Sequence, residues 1–117
     1  MENSELYEDV INDCFGYSLG AIWDYFQYRE PVLPYEERID KFLFILRRAM
    51  ATGILKLAND GVFFDGSISE QLKKFEEGFP KKERDMHEFC FGLDIYGKLW
   101  FPGGGVWICS DGDEIWT

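Results

Sequence analysis

The chain has few of the side chains from which catalytic and metal centres are usually built. It holds a single histidine, His87, and three widely spaced cysteines with no Cys-x-x-C pair. A structural zinc site needs four ligands, usually in paired spacings, and a catalytic nucleophile needs an activating group beside it. The sequence therefore predicts no enzyme, no metal and no cofactor, with reduced thiols packed as small hydrophobic side chains.

Long apolar runs and a leader segment are also missing. The longest apolar stretch covers residues 42–46, whereas a membrane-spanning helix needs roughly 20 apolar residues. The first residues lack the basic, apolar and small-residue pattern of a secretory signal. Since unpaired cysteines are typical of a reducing compartment, these features together predict a cytoplasmic protein that does not enter a membrane.

Basic residues are scarce relative to acidic ones. Twelve Lys and Arg residues oppose 22 Asp and Glu residues, which gives a net charge of −10. Residues 1–40 hold much of the excess, with ten acidic residues against Arg29 and Arg38. Such a surface repels phosphate, so direct binding to nucleic acid or to an anionic membrane is disfavoured. It would steer a basic protein partner toward the chain, unless it serves only to keep an aromatic-rich domain in solution.

The sequence does hold enough apolar and aromatic material for one α+β domain over residues 1–117, since 46% of the residues are hydrophobic and 18% aromatic. Apolar residues at helical spacing predict helices at about 4–14, 18–28, 34–52, 67–78 and 82–93. Apolar runs around Asp-Gly turns predict hairpins at 54–64 and 106–117, and a short strand is expected at 99–101. We expect four to five helices packed on a small antiparallel sheet built from hairpins.

Several boundary signals refine this prediction. Ser4 and Ser18 are expected to cap the first and second helices. Ser67 and Glu70 have the spacing of a capping box at the start of the fourth. Both faces of residues 106–109 are apolar, which predicts a covered strand rather than a free edge.

Two features could carry chemistry, and each has a simpler interpretation. His87 lies three residues before Cys90, so a helix would place both on one face, where a nucleophile and its base could meet. Asp85 or Glu88 could extend this pair toward a metal site, but an ordinary helical histidine beside a buried cysteine explains it more simply. The three glycines at 103–105 lack the Lys-Ser/Thr of a phosphate loop and favour a flexible turn.

Two acidic groups are the candidate partner-binding sites. One is a face of the first helix on which acids recur at three- and four-residue spacing, and the other lies near the end of the chain between Trp107 and Trp116. The candidate residues are Glu5, Glu8, Asp9, Asp13, Asp111, Asp113 and Glu114. Alternatively, the first group is a solvated face or is paired with Arg47 and Arg48, and the second consists of turn-forming acids beside buried tryptophans.

Five stretches of the chain are similar to a family of small bacterial proteins. They are SLGAIW at 18–23, GSI at 66–68 followed by QL at 71–72, GFP at 78–80, GVWI at 105–108 and GDEIWT at 112–117. Together they resemble the domain of unknown function 596 family over most of the chain. Because the stretches are helix caps and strands, they indicate a fold more than an activity, and the resemblance supplies no catalytic residues.

Small acidic proteins of this kind resemble the immunity proteins of contact-dependent toxin systems. The resemblance implies a non-catalytic protein that neutralises a toxin in the cytosol by masking a basic domain, for example that of a nuclease. The alternative is a DNA-mimicking or regulatory adaptor that sequesters a nucleic-acid-binding protein. A partner-specific loop could lie at residues 28–35 or 94–104.

Overall fold

The predicted α+β architecture is confirmed by the computed structural model, which describes residues 3–117 and places four α-helices beside one small antiparallel sheet in that range. The helices are α1 (Asn3–Cys14), α2 (Leu19–Arg29), α3 (Tyr35–Ala51) and α4 (Ile68–Gly78). The strands are β1 (Leu55–Asn59), β2 (Val62–Phe63), β3 (Gly104–Ile108) and β4 (Glu114–Trp116). None of these helices is both long enough and apolar enough to span a bilayer.

Both predicted hairpins are present, and they join into one sheet in the order β2-β1-β3-β4. All neighbouring strands are antiparallel; Lys56 on β1 lies opposite Val106 on β3, which lies opposite Trp116 on β4. In the β1–β2 turn, Asp60 and Gly61 have φ values of 51° and 79°. A type I′ hairpin turn requires positive φ at both central residues, so the Asp-Gly sequence suits this turn.

Helix α3 forms the centre of the core, as its broad apolar stripe predicts. It packs against α1, α2, α4 and β1. Its side chains without exposed surface are Phe42, Ile45, Leu46 and Ala49. Leu55 and Leu57 of β1 and Trp107 of β3 belong to the same cluster. Since complete burial of one large apolar side chain contributes about 1.5–3 kcal/mol, this cluster is the main source of stability.

The other face of the sheet carries a small apolar cluster of its own. Phe63 and Trp116 belong to the two edge strands, yet their ring centroids lie 5.1 Å apart. The sheet is therefore strongly curled, and its edges approach each other on the side of Ala58 and Val106, which are both buried. The predicted covered strand is confirmed in β3, because this strand runs between β1 and β4 and is buried on both faces.

The helix boundaries match the sequence signals at α4 and differ from them at α1. Glu70 N–H donates to the Ser67 hydroxyl (3.1 Å), and Ser67 N–H donates to the Glu70 carboxylate (3.2 Å), so the predicted capping box is present. Ser4 is not an N-cap, because α1 already begins at Asn3. Ser18 occupies the N-cap position of α2, but its side chain makes no capping hydrogen bond.

The prediction of a fifth helix at residues 82–93 is wrong. Only a single 3₁₀ turn (Glu83–Asp85) forms there, and the chain then continues without a helix or a paired strand to residue 103. His87 Nδ1 accepts hydrogen bonds from the N–H groups of Phe89 (3.1 Å) and Cys90 (3.0 Å). Such local contacts between a side chain and the backbone compete with helical hydrogen bonding.

Residues 86–103, which we call the aromatic segment, are held by ring packing instead. Phe91, Trp100 and Phe101 turn inward, and nearby rings lie 4.6–6.1 Å away between centroids. The rings that they meet are those of Trp23, Phe42, Phe75 and Phe79. The predicted strand at 99–101 is also wrong, because an isolated bridge is all that forms there. Tertiary burial of aromatic rings has overridden the local pattern.

Two polar contacts fix the chain just before the aromatic segment. The Tyr35 hydroxyl donates to the carbonyl oxygen of Pro80 (2.7 Å), and burial raises the pKa of Tyr35, which keeps the donor protonated. Arg38 is buried and forms an ion pair with Glu83 (Nη1–Oε2 2.9 Å). Its Nη2 also donates to the carbonyl oxygen of Leu33 (3.2 Å). The start of α3 thereby anchors both the preceding connector and the following segment.

Gly103→Ala is expected to destabilise the fold, because a Cβ atom at this position would lie 2.5 Å from the carbonyl oxygen of Ala58. A main-chain atom of β1 cannot move aside without disturbing the sheet, so we expect the free energy of unfolding to fall by about 1–3 kcal/mol. Gly104→Ala is the matched control, since its Cβ would lie 3.0 Å from the Thr117 carbonyl oxygen. Urea denaturation measures the free energy of unfolding of both variants, and a larger loss of stability for Gly104→Ala than for Gly103→Ala would contradict this account.

The capping box is expected to make stability depend on pH in the acid range. Hydrogen bonds from the backbone N–H and side chain of Ser67 lower the pKa of Glu70 below its ordinary value of 4.5. Because the folded pKa lies below the unfolded one, the stabilisation is complete above the unfolded pKa and is lost as the pH falls through the folded pKa. NMR titration should give a lower pKa for Glu70 in the native protein than in urea, and Ser67→Ala should remove part of that difference. Equal native and unfolded values would exclude this coupling.

Candidate partner-binding surface

The predicted acidic face of α1 is exposed, and most of it is free of internal ion pairs. Glu5, Glu8 and Asp9, which we call the acid row, form no ion pair with any other residue between 3 and 117. Asp13 is also exposed, but its carboxylate pairs with Arg29 at 2.7 Å. Three of the four predicted residues on this helix thus present uncompensated charge.

Over residues 3–117, the two arginines that could have neutralised this face form no ion pair with it, although Arg48 does contact α1. Arg47 donates to the Ser69 hydroxyl (3.0 Å). The Arg48 guanidinium lies over the Tyr7 ring, 4.6 Å from its centroid, and its other contact is a 3.4 Å hydrogen bond to Ser4. The interpretation that the acidic face is paired with these arginines is therefore wrong.

The acids near the β3–β4 turn are exposed as well, but two of them accept hydrogen bonds inside the hairpin. Asp111 Oδ1 accepts from the N–H of Asp113 (3.0 Å), and Glu114 Oε1 accepts from the indole N–H of Trp116 (3.1 Å). Trp107 is fully buried, whereas Trp116 is 47% exposed. A turn-forming role explains part of this group, and only one of the two flanking tryptophans is available at the surface.

The loop that follows α1 approaches the strand that carries Glu114. A Cβ atom at Gly16, just after α1, would lie 3.9 Å from Ile115 Cδ1 on β4. The end of α1 that carries Asp13 therefore adjoins the strand that carries Glu114. Glu5 lies about 12 Å away from Asp13 along the helix, since each residue adds 1.5 Å.

A groove that the sequence patterns do not predict opens at one end of the sheet. We call it the sheet-end groove; it has a volume of about 670 Å³ and lies between the start of α2, the β1–β2 turn, the beginning of β3 and the aromatic segment. The carboxylates of Asp24 and Asp60 are among its lining groups. Among the described residues that line it there is no Lys, Arg or His. The groove therefore has negative side-chain charge only.

Large apolar side chains are exposed around the same groove. Tyr17, Phe89, Leu99 and Trp116 all line it, and their exposed fractions run from 47% to 84%. A single exposed hydrophobic side chain is ordinary, whereas several around one concavity are typical of an interaction site. Aromatic residues in particular are enriched at protein interfaces.

The sequence patterns do not indicate this rim, because they predict that Phe89 lies on a helix over residues 82–93. The turn at residues 94–98 does have a sequence signal, because Asp94 stands four residues before Lys98 with Gly97 between them. Asp94 Oδ1 accepts hydrogen bonds from the N–H groups of Tyr96 and Lys98, both at 2.9 Å. Asp in this position favours a turn, and such a turn in residues 94–104 leaves nearby apolar side chains exposed.

In the part of the chain that the structure describes, no hydrogen bond joins the side chains of His87 and Cys90. His87 Nδ1 instead accepts the backbone N–H groups of Phe89 and Cys90. Cys90 is exposed rather than buried, in contrast to Cys14, for which burial raises the pKa to about 11. Within residues 3–117, no group of three or more His, Cys, Asp or Glu side chains is placed to hold a metal ion.

Comparison with known proteins gives a family and a fold. A family model described as "Protein of unknown function, DUF596" matches residues 50–117, which is more than half of the chain. Among solved structures, an "Uncharacterized Protein Conserved in Bacteria" from Neisseria meningitidis is similar with a TM-score of 0.68. The two are 20% identical, over 97% of this chain and 91% of that chain, so the likeness shows the fold alone. No curated protein matches the sequence.

The cysteines are expected to differ sharply in their reaction with iodoacetamide at pH 8. Cys90 should react first, because it is exposed. Cys14 should react only after unfolding, because it is buried and its pKa is raised to about 11, so little thiolate forms. Mass spectrometry of time points with and without urea measures both rates. Labelling of native Cys14 as fast as Cys90 would contradict this prediction, and reaction of Cys90 far faster than glutathione would indicate an activated thiolate.

Proposed function

The chain belongs to the DUF596 family of proteins of unknown function, and we propose that it is a non-catalytic binding protein that covers a basic domain of another protein. The acid row is the observation that supports this proposal most directly, since it is exposed and has no ion-pair partner in the described part of the chain. Like charges three and four residues apart on a helix destabilise it by about 0.2–0.5 kcal/mol per pair. Lysines and arginines of a partner would relieve that repulsion.

The partner that we propose is a toxin, which makes the chain an immunity protein. Neutralisation needs tight coverage of the toxin's active cleft and no catalytic group in the protecting protein. A stable interface takes about 800 Å² from each partner, roughly a tenth of the 7232 Å² surface of this chain. A nuclease is the favoured toxin, because a cleft that binds phosphate must itself be basic.

Charge is expected to act mainly on the rate of association. A negative face opposite a positive one speeds encounter, while affinity depends more on the few side chains buried at the centre of the contact. Binding should therefore weaken with salt without disappearing at physiological ionic strength, where exposed charges are screened beyond about 8 Å.

The proposal is tested by capturing the partner from the native bacterium and expressing it with and without this chain. We expect one stoichiometric basic protein, retained at moderate salt, that stops growth alone and is tolerated when the two are co-expressed. Replacing the acid row by Glu5→Lys, Glu8→Lys and Asp9→Lys should lower the association rate constant by about tenfold at low salt and weaken the protection. Stopped-flow binding and growth curves measure these effects.

The matched control is the triple variant Asp40→Lys, Asp65→Lys and Glu76→Lys, which changes net charge equally at exposed sites on other elements. It should retain protection. If both triple variants behave alike, net charge alone acts and the acid row is not the docking face. A captured protein that is harmless, or that duplex DNA displaces competitively, would contradict the immunity proposal, and displacement by DNA would favour the DNA-mimicking adaptor. Recovery of no specific partner would leave the acidic surface with a role in solubility only.

A further inference from the structure

We propose that the sheet-end groove binds an arginine-bearing, extended segment of the basic partner. The guanidinium would be held by Asp24 or Asp60 and would stack on the exposed rings around the groove. This inference rests on the proposed function, because it assumes a basic protein partner, and it names a contact surface separate from the acid row.

The first argument is the charge of the lining residues. Asp24 comes from the second turn of α2 and Asp60 from the β1–β2 turn, so carboxylates enter from two elements. The lining includes no Lys, Arg or His from the described chain that could neutralise them. Partial burial raises the pKa of Asp24. A bound guanidinium would favour the charged carboxylate and lower that pKa.

The second argument is the supply of free ring faces. The chain's own arginines stack on aromatic rings at 4.6–5.3 Å from the centroids, in the pairs Arg29–Tyr25, Arg38–Trp23 and Arg48–Tyr7. By contrast, no Lys or Arg of residues 3–117 stacks on Tyr17 or Phe89, and Trp116, which packs against Phe63, has no such cation either. Arginine is favoured over lysine because its planar guanidinium stacks on rings and pairs with carboxylates at the same time.

The third argument concerns the main chain of the segment. The Ser18 side chain does not cap α2, so the first N–H groups of the helix, at Leu19 and Gly20, lack a capping acceptor beside the groove. These groups can donate to carbonyl oxygens of an extended segment. The glycines at 103–105 also line the groove and put no side chain into it. The groove thus offers donors for a backbone as well as acceptors for a cation.

The test is an NMR titration of the ¹⁵N-labelled full chain with a blocked peptide of alternating arginine and glycine. Peptides with lysine or with neutral citrulline in place of arginine are the comparison probes. We expect the arginine peptide to shift the amide signals of Gly20 and residues 103–105 and the indole signal of Trp116. The lysine peptide should bind more weakly, and the citrulline peptide should produce no shift.

Asp24→Asn with Asp60→Asn should weaken arginine-peptide binding about fivefold or more, because charge-assisted hydrogen bonds are lost. Asn tolerates the positive φ of 51° at position 60, so the turn is preserved. Asp40→Asn with Glu76→Gln is the matched control, with the same change in charge at exposed sites outside both the groove and the acid row, and should alter affinity by less than about twofold. Phe89→Ser should also weaken binding while leaving the fold intact, since this ring is 84% exposed.

Three outcomes would overturn the inference: shifts confined to α1, equal loss in the Asp24/Asp60 variant and in the Asp40/Glu76 control, or no shift with any peptide. None of these affects the capture and growth experiment, so the groove can fail as the arginine site while the immunity proposal stands. If instead capture and growth fail but the arginine peptide occupies the groove as expected, the proposed function fails and the groove remains an arginine-binding surface.

Discussion

The packing of aromatic rings between the helices and the aromatic segment is the interaction on which the rest of the structure depends. This segment has only isolated bridges and turn hydrogen bonds in place of regular secondary structure, and Phe91, Trp100 and Phe101 fix its position by burying rings against α2, α3 and α4. Each such ring pair stabilises the fold by about 0.5–1.5 kcal/mol beyond the contribution of the apolar area that it buries. With these three residues turned inward, Phe89 and Leu99 are left outside. The rim of the sheet-end groove is therefore a consequence of how the core is closed.

Several basic residues are engaged in contacts within the chain. Arg29, Arg38 and Arg48 each contact a ring of the chain itself, and Lys41 pairs with Glu30 at 3.0 Å. These contacts stabilise the packing of helices, and they leave the acid row without an ion pair in the described chain. The net charge of −10 follows from 22 acidic against 12 basic residues, and the distribution of ion pairs decides which acids stay unpaired.

Sequence reasoning succeeds here where local chemistry decides the structure and fails where distant residues do. Hydrophobic periodicity predicts α3, the Asp-Gly turns predict both hairpins, and Ser67 with Glu70 predicts the start of α4. The first part of the aromatic segment, residues 86–93, has an equally helical pattern, but the rings of the segment meet partners on helices far away in sequence, and no local signal encodes those contacts. For the same reason the acid row could be predicted from one helix, whereas the groove could not. It is assembled from five separate parts of the chain, since Trp116 and Thr117 also line it. The glycines at 103–105, which the sequence predicts as a flexible turn, instead lead into β3, and a Cβ atom at position 103 would meet the carbonyl oxygen of Ala58.

The acid row and the sheet-end groove are suited to different stages of one encounter. Exposed carboxylates act over about a Debye length and orient a basic partner, but each exposed pair contributes little once it is made. Concave aromatic surface acts only on contact and supplies the buried anchors that slow dissociation. The two are linked along the chain, because α1 ends at Cys14 and Tyr17 already lines the groove. A partner guided along α1 toward Asp13 would therefore arrive at the groove. In the proposed complex, the acid row would orient the basic partner and the adjacent groove would hold it.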